Sequence, residues 1–115
     1  MTEPQDVKVP FVNQSDQTLL LVRGNIEDND DRKKYIKTLS DAVLAVYQKH
    51  KKVNLRCVGA AALNNAVKAS IIASGEAGKK GLSFAFVPSF QTVTFDGNVE
   101  KTALVLCVRN ASFID

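Results

Sequence analysis

One stretch limits what this chain can fold into more than any other: residues 53–74, an alternating apolar run, a single glycine, then an unbroken helical pattern. In Val53-Asn54-Leu55-Arg56-Cys57-Val58 the residues Val53, Leu55 and Cys57 alternate with Asn54, Arg56 and Val58, the period of a strand with one face on a core. Gly59 follows at the strand-to-helix turn. From there Leu63, Val67 and Ile71, with Ala66 and Ser70 between them, recur at helical spacing over residues 59–74. That spacing predicts a core face on Leu63, Val67 and Ile71 and a polar face on Asn64, Asn65 and Lys68. A strand feeding a helix through one glycine is a unit of a mixed helix-and-sheet domain.

The flanking segments extend the same logic. Residues 18–23, with Leu19-Leu20-Leu21-Val22 at their centre, read as a first strand, and the continuous apolar run predicts burial on both faces. A polar loop over 24–31 ends in Asp30-Asp31, suitable helix N-caps. The next helix, over 31–50, carries its buried stripe on Ile36, Leu39, Val43, Val46 and Tyr47 and ends in Lys49-His50-Lys51-Lys52, cations that suit a helix C-terminus. Beyond the central helix, residues 82–95 are strand-rich around Pro88, which requires a bend, a bulge or an edge position. Asp96-Gly97 marks a hairpin turn, and a last strand over 102–109 pairs back. The order is β-α-β-α-β-β. It predicts an α+β domain (α/β in the broad sense), with a four-stranded mixed sheet and both helices on one face. The uncovered sheet face is then less polar than a solvated face should be, which favours self-association.

At 115 residues the chain suits one domain, divided here into an arm over 1–17, a domain over 18–109 and a short tail over 110–115. Phe11 is expected to dock the arm, and Phe113-Ile114 calls for a covering surface. The apolar and charged fractions, 45% and 23%, are those of an ordinary globular protein. With no run near the roughly 20 apolar residues of a membrane helix and no secretory signal pattern, a cytoplasmic protein is expected (nuclear in a eukaryote), not a secreted one. Two cysteines, Cys57 and Cys107, sit in apolar strand-like runs and are expected to be reduced core residues, with a disulfide open only if their strands are neighbours. The lone His50 and the lack of paired Cys/His spacing argue against a zinc site.

The net charge of +3 conceals a division: residues 1–31 carry −5 and residues 32–115 carry +8. A basic body is permissive for anionic partners. The segment Gly75-Glu76-Ala77-Gly78-Lys79-Lys80-Gly81 is glycine-punctuated and basic, but a Walker A loop needs four residues between its glycines, a closing Ser/Thr and a preceding strand. A nucleotide-hydrolase reading is therefore rejected.

The central run Gly59-Ala60-Ala61-Ala62-Leu63-Asn64-Asn65-Ala66-Val67-Lys68-Ala69 resembles the Gly-Ala-Gly-Ala-Leu-Asn-Gln-Ala-Val-Lys-Ala signature of the stage V sporulation protein S family, a branch of the Alba-like superfamily. Val87-Pro88-Ser89-Phe90, Phe95-Asp96-Gly97 and Thr102-Ala103 recur in the family's order, so the resemblance covers roughly residues 18–109. Ala61 stands where the signature has its second glycine. The resemblance implies a compact Alba-like domain that is intracellular, non-catalytic, dimeric and nucleic-acid-binding, with Asn64, Asn65, Lys68 and Gly59 carried over as its working residues.

Two functional readings compete. In the first, a homodimeric module binds DNA or RNA through phosphates, with Lys68, Arg56, Lys79, Lys80, Arg32 and Lys33 as cationic contacts and Asn64 and Asn65 as donors to phosphate or sugar oxygens. The bland alternatives are a solvated Lys68 and asparagines bonded to a neighbouring loop. In the second, self-association or a protein assembly partner is itself the function. An enzyme has little support, because no Ser/His/Asp, Cys/His or paired-carboxylate arrangement can be assembled, and no cofactor is implied.

Overall fold

The computed structural model describes residues 13, 16–79 and 83–111. The expectations for Phe11, Lys80 and Phe113-Ile114 lie outside these residues. The first helix, α1 (Asn29–His50), starts two residues before the expected cap. Asp28 is the N-cap, and its side chain accepts from the backbone N–H of Asp30 at 2.9 Å and of Asp31 at 3.0 Å. Asp30 and Asp31 instead occupy the first turn, where the helix dipole favours acids, and Lys49 and His50 close the last turn. Lys51 ends the helix in the left-handed region at φ 63°, its N–H donating to the Tyr47 carbonyl at 2.7 Å. The stripe read from the sequence is the buried one: Ile36, Leu39, Val43, Val46 and Tyr47, joined by Ala42 and Ser40.

Strand β1 (Leu19–Val22) pairs in parallel with β2 (Val53–Cys57), as a strand–helix–strand crossover through α1 demands. Helix α2 (Ala60–Gly78) leads into the long hairpin β3 (Phe84–Phe95) and β4 (Val99–Asn110), which is paired from Phe84↔Asn110 to Phe95↔Val99. The turn Asp96–Asn98 has positive φ at Gly97 and Asn98, the hairpin geometry that Asp96-Gly97 signals. Because β4 inserts beside β2, the sheet order is β1-β2-β4-β3, four strands and mixed. Pro88 sits in β3 at the sheet edge, where a missing N–H is tolerated.

Register assigns the faces. Val53, Leu55 and Cys57 of β2 share a face with Leu20 of β1 and with Leu106 and Val108 of β4, and all six lie in one core with the buried sides of α1 and α2. Fully burying each leucine or valine contributes about 1.5–3 kcal/mol. At the hairpin end of this core, the rings of Tyr47 and Phe84 pack at 4.7 Å. The opposite face carries Asn54, Arg56 and Leu21, with Val105 and Cys107 from β4 and Val87 from β3. Leu21 and Val87 are exposed there, so β1 is buried on one face only and the two-sided expectation is corrected. Edge strands need only one apolar face. Cys57 and Cys107 fall on opposite faces of adjacent strands and are both free. Cys57 is a core residue. Cys107 is half-buried on the uncovered face and accepts from Arg109 Nε at 3.3 Å.

Helix α2 differs most from its sequence reading. Its buried side is a ridge of Ala62, Ala66, Ala69, Ala73 and Ala77 with Asn65 and Ser70, while Leu63 and Val67 are half-buried and Ile71 is 60% exposed. Small residues let α2 lie close against α1 and the sheet, which displaces the larger side chains to the flank. The outer half of the hairpin has no third strand beside it, since β2 reaches only residues 104–108 of β4. On the edge strand β3, opposite the stretch of β4 that β2 reaches, Phe90 is 78% exposed and Phe86 is also on the surface.

Candidate nucleic-acid interface

The loop over residues 23–28, between β1 and α1, is tied to α1 by Tyr35 and Arg32 and held against the start of α2 by Asn65 and the close approach of Gly24. The Tyr35 hydroxyl accepts from the Arg23 N–H at 2.6 Å, and burial raises the Tyr35 pKa, so the phenol stays protonated. Asn65 Nδ2 donates to the carbonyls of Arg23 at 2.9 Å and Gly24 at 3.2 Å. Arg32 Nη1 donates to the Ile26 carbonyl at 3.1 Å, and its Nη2 donates to Asn29 Oδ1. Gly24 presses on the helix: a Cβ there would stand 3.1 Å from the Ala62 nitrogen and 3.3 Å from the Ala61 Cβ. Only glycine lets these backbones meet at that distance without displacement.

This docking leaves an open cleft of about 550 Å³ between the loop and α2, lined by the loop and by Arg32, Ala61, Asn64, Asn65 and Lys68. Gly59, the N-cap between β2 and α2, adopts φ 93°, ψ 163°, a backbone region essentially reserved for glycine. It caps α2 without a side chain, so the helix presents uncapped N–H groups and a positive dipole end beside Ala61 and Asn64. Glu27 is also exposed on the loop side of the cleft.

Of the residues singled out from the sequence, Asn64, Asn65, Lys68 and Arg32 converge here, with Gly59 at the helix start. Asn65 is not on the polar face as expected. It is 2% exposed and spends its amide nitrogen on the loop. Lys33 is exposed in the first turns of α1 and does not line the cleft. Arg56 projects from the uncovered sheet face, opposite the helices. Lys79 lies past the far end of α2, about 16 Å of helix from Lys68, and pairs with Glu76 at 3.5 Å. The sequence reading missed Gly24, Ile26, Glu27 and Tyr35; only the glycine in a polar loop offered any signal.

Burial moves the Cys57 thiol up to about 11, so it is no nucleophile at neutral pH. Among the described residues no group of three His, Cys, Asp or Glu side chains could hold a metal, and no helix is long and apolar enough to cross a membrane. The fold and cleft define a β-α-β-α-β-β domain with a polar, partly cationic groove at the start of its second helix. Residues 32–111 match the family described as Stage V sporulation protein S (SpoVS), and the chain belongs to that family.

Proposed function

We propose that the protein is a non-catalytic, Alba-like nucleic-acid-binding module that holds DNA or RNA through phosphate contacts in the cleft between the 23–28 loop and α2, and acts as a homodimer. One observation carries the reading: Lys68, Arg32 and Asn64 share a groove with the uncapped N-terminus of α2, on a body whose residues 32–115 carry +8. Cations, side-chain amides and free backbone N–H groups are what phosphodiester oxygens accept. Lys68 is exposed and makes no ion pair among the described residues, whereas Arg32 is partly committed to the loop and supplies fixed charge. The nucleic acid is titrated at low and moderate salt. Affinity falls steeply with salt, by about 0.9 log units per log unit for each phosphate neutralised on a duplex. Failure to bind at low salt refutes the reading.

A protein-assembly role has its own support in the exposed apolar side chains Phe90, Phe86, Ile71 and Ile72 on the helix-side surface and Leu21 and Val87 on the other. Light scattering of the protein, with Phe90→Ser beside it, tests self-association. A wild-type mass of one chain at all concentrations refutes the dimer.

A further inference from the structure

The two hydrogens of Asn65 Nδ2 go to two carbonyl oxygens, those of Arg23 and Gly24. A carbonyl only accepts, so the amide cannot be flipped, and the position of Oδ1 is fixed by the fold. This Oδ1 accepts no hydrogen bond from the described residues. It is not sealed in the core either, because Ser70 Oγ is the one partnerless side-chain oxygen closed off among them. Asn65 lines the cleft, and Oδ1 is the acceptor that this 2%-exposed side chain has left to offer there. A second acceptor, the Glu27 carboxylate, lines the same cleft and makes no ion pair among the described residues. Neither group favours a phosphodiester, which has no hydrogen to donate. Lys68, Arg32 and Asn64 beside them do. The cleft thus asks for a ligand that is anionic at one point and a hydrogen-bond donor at another.

The two kinds of nucleic-acid backbone differ in this respect. A deoxyribose-phosphate chain carries no backbone donor, whereas a ribose-phosphate chain carries one 2′-hydroxyl per nucleotide. We propose that the cleft selects RNA over DNA, Asn65 Oδ1 and the Glu27 carboxylate each accepting from the 2′-hydroxyl of a different ribose while Lys68 holds the adjoining phosphate. The selection rests on the nucleic-acid reading above and adds a substrate class to it. Base amino groups could also donate, but RNA and DNA share them.

The test compares three single strands of one sequence, with uracil for thymine: RNA, 2′-O-methyl RNA and DNA, each titrated at fixed moderate salt. Wild-type protein binds RNA about tenfold tighter than either analogue, the loss expected when a hydrogen bond to an ionised acceptor disappears. Glu27→Ala, at an exposed position away from the core, brings the three affinities within about threefold of one another, partly by strengthening the analogues as the repulsive charge is removed. Lys68→Glu weakens all three by a common factor. Equal, salt-dependent binding of the three strands by wild type overturns the RNA selection and leaves the nucleic-acid reading standing. Failure of all three to bind at low salt overturns both.

Discussion

Removing the side-chain amide of Asn65 tests how the cleft is built. In Asn65→Ala two hydrogen bonds disappear, at 2.9 and 3.2 Å, from a residue 2% exposed. Each bond contributes about 0.5–1.5 kcal/mol net, and a carbonyl left dry costs more, so the expected loss is about 2–3 kcal/mol. That lowers Tm by roughly 10 °C for a domain of this size. Asn65→Asp is nearly isosteric but turns the donor into an acceptor facing two carbonyls. At neutral pH it should cost more than alanine, because an ionised carboxylate is then buried against like partial charges. The folded-state pKa of the new carboxyl is therefore raised above its unfolded value of about 3.9. Relative to wild type, the variant's deficit is smallest below about pH 4, where the protonated acid can donate to one carbonyl. It grows as pH rises through the folded pKa. Denaturant melts at pH 3.5 and 7 measure this, with hydrogen exchange on residues 23–28 reporting release of the loop. An alanine variant within 0.5 kcal/mol of wild type, or an aspartate variant as stable as alanine at pH 7, would refute the reasoning.

Other substitutions probe neighbouring parts of the fold. Ser70 Oγ is fully buried and partnerless, so Ser70→Ala should raise stability by about 1 kcal/mol in a denaturant melt; a loss of that size would mean the hydroxyl is satisfied. At Gly59 an added Cβ meets nothing within 4 Å, yet φ is +93°, so Gly59→Ala should cost about 1–3 kcal/mol through backbone strain alone, and a neutral melt would contradict this. With its thiol near 11 and buried, Cys57 should react with a disulfide reagent at pH 7.4 only on unfolding, while Cys107 labels in the native state. Equal labelling rates would count against that assignment.

The sequence disclosed the sheet and α1 well because their cores use large side chains at clean periods. Val53, Leu55 and Cys57 alternate, and Ile36, Leu39, Val43, Val46 and Tyr47 repeat at three and four. Helix α2 misled for the same reason. Weighting by hydropathy selects Leu63, Val67 and Ile71, whereas close packing against α1 selects the alanines and leaves Ile71 largely in solvent. Asn64 and Asn65 looked like one polar pair until the fold turned the second inward to serve loop carbonyls some forty residues earlier. No local pattern encodes that meeting, nor the approach of Gly24 to Ala61 and Ala62. The alternation that took Arg56 off the core face was legible, but only the topology shows that this face is opposite the cleft.

That opposition supplies the most direct test of the central claim, that anions bind between the 23–28 loop and α2. Lys68→Glu and Arg56→Glu change net charge equally, one inside the cleft and one across the sheet from it. Both are titrated with one labelled RNA at about 0.1 M salt, where the Debye length is about 10 Å and a distant charge is largely screened. Lys68→Glu should weaken binding about tenfold or more, while Arg56→Glu should stay within about twofold of wild type. Equal losses, or a larger loss at Arg56, would contradict the claim.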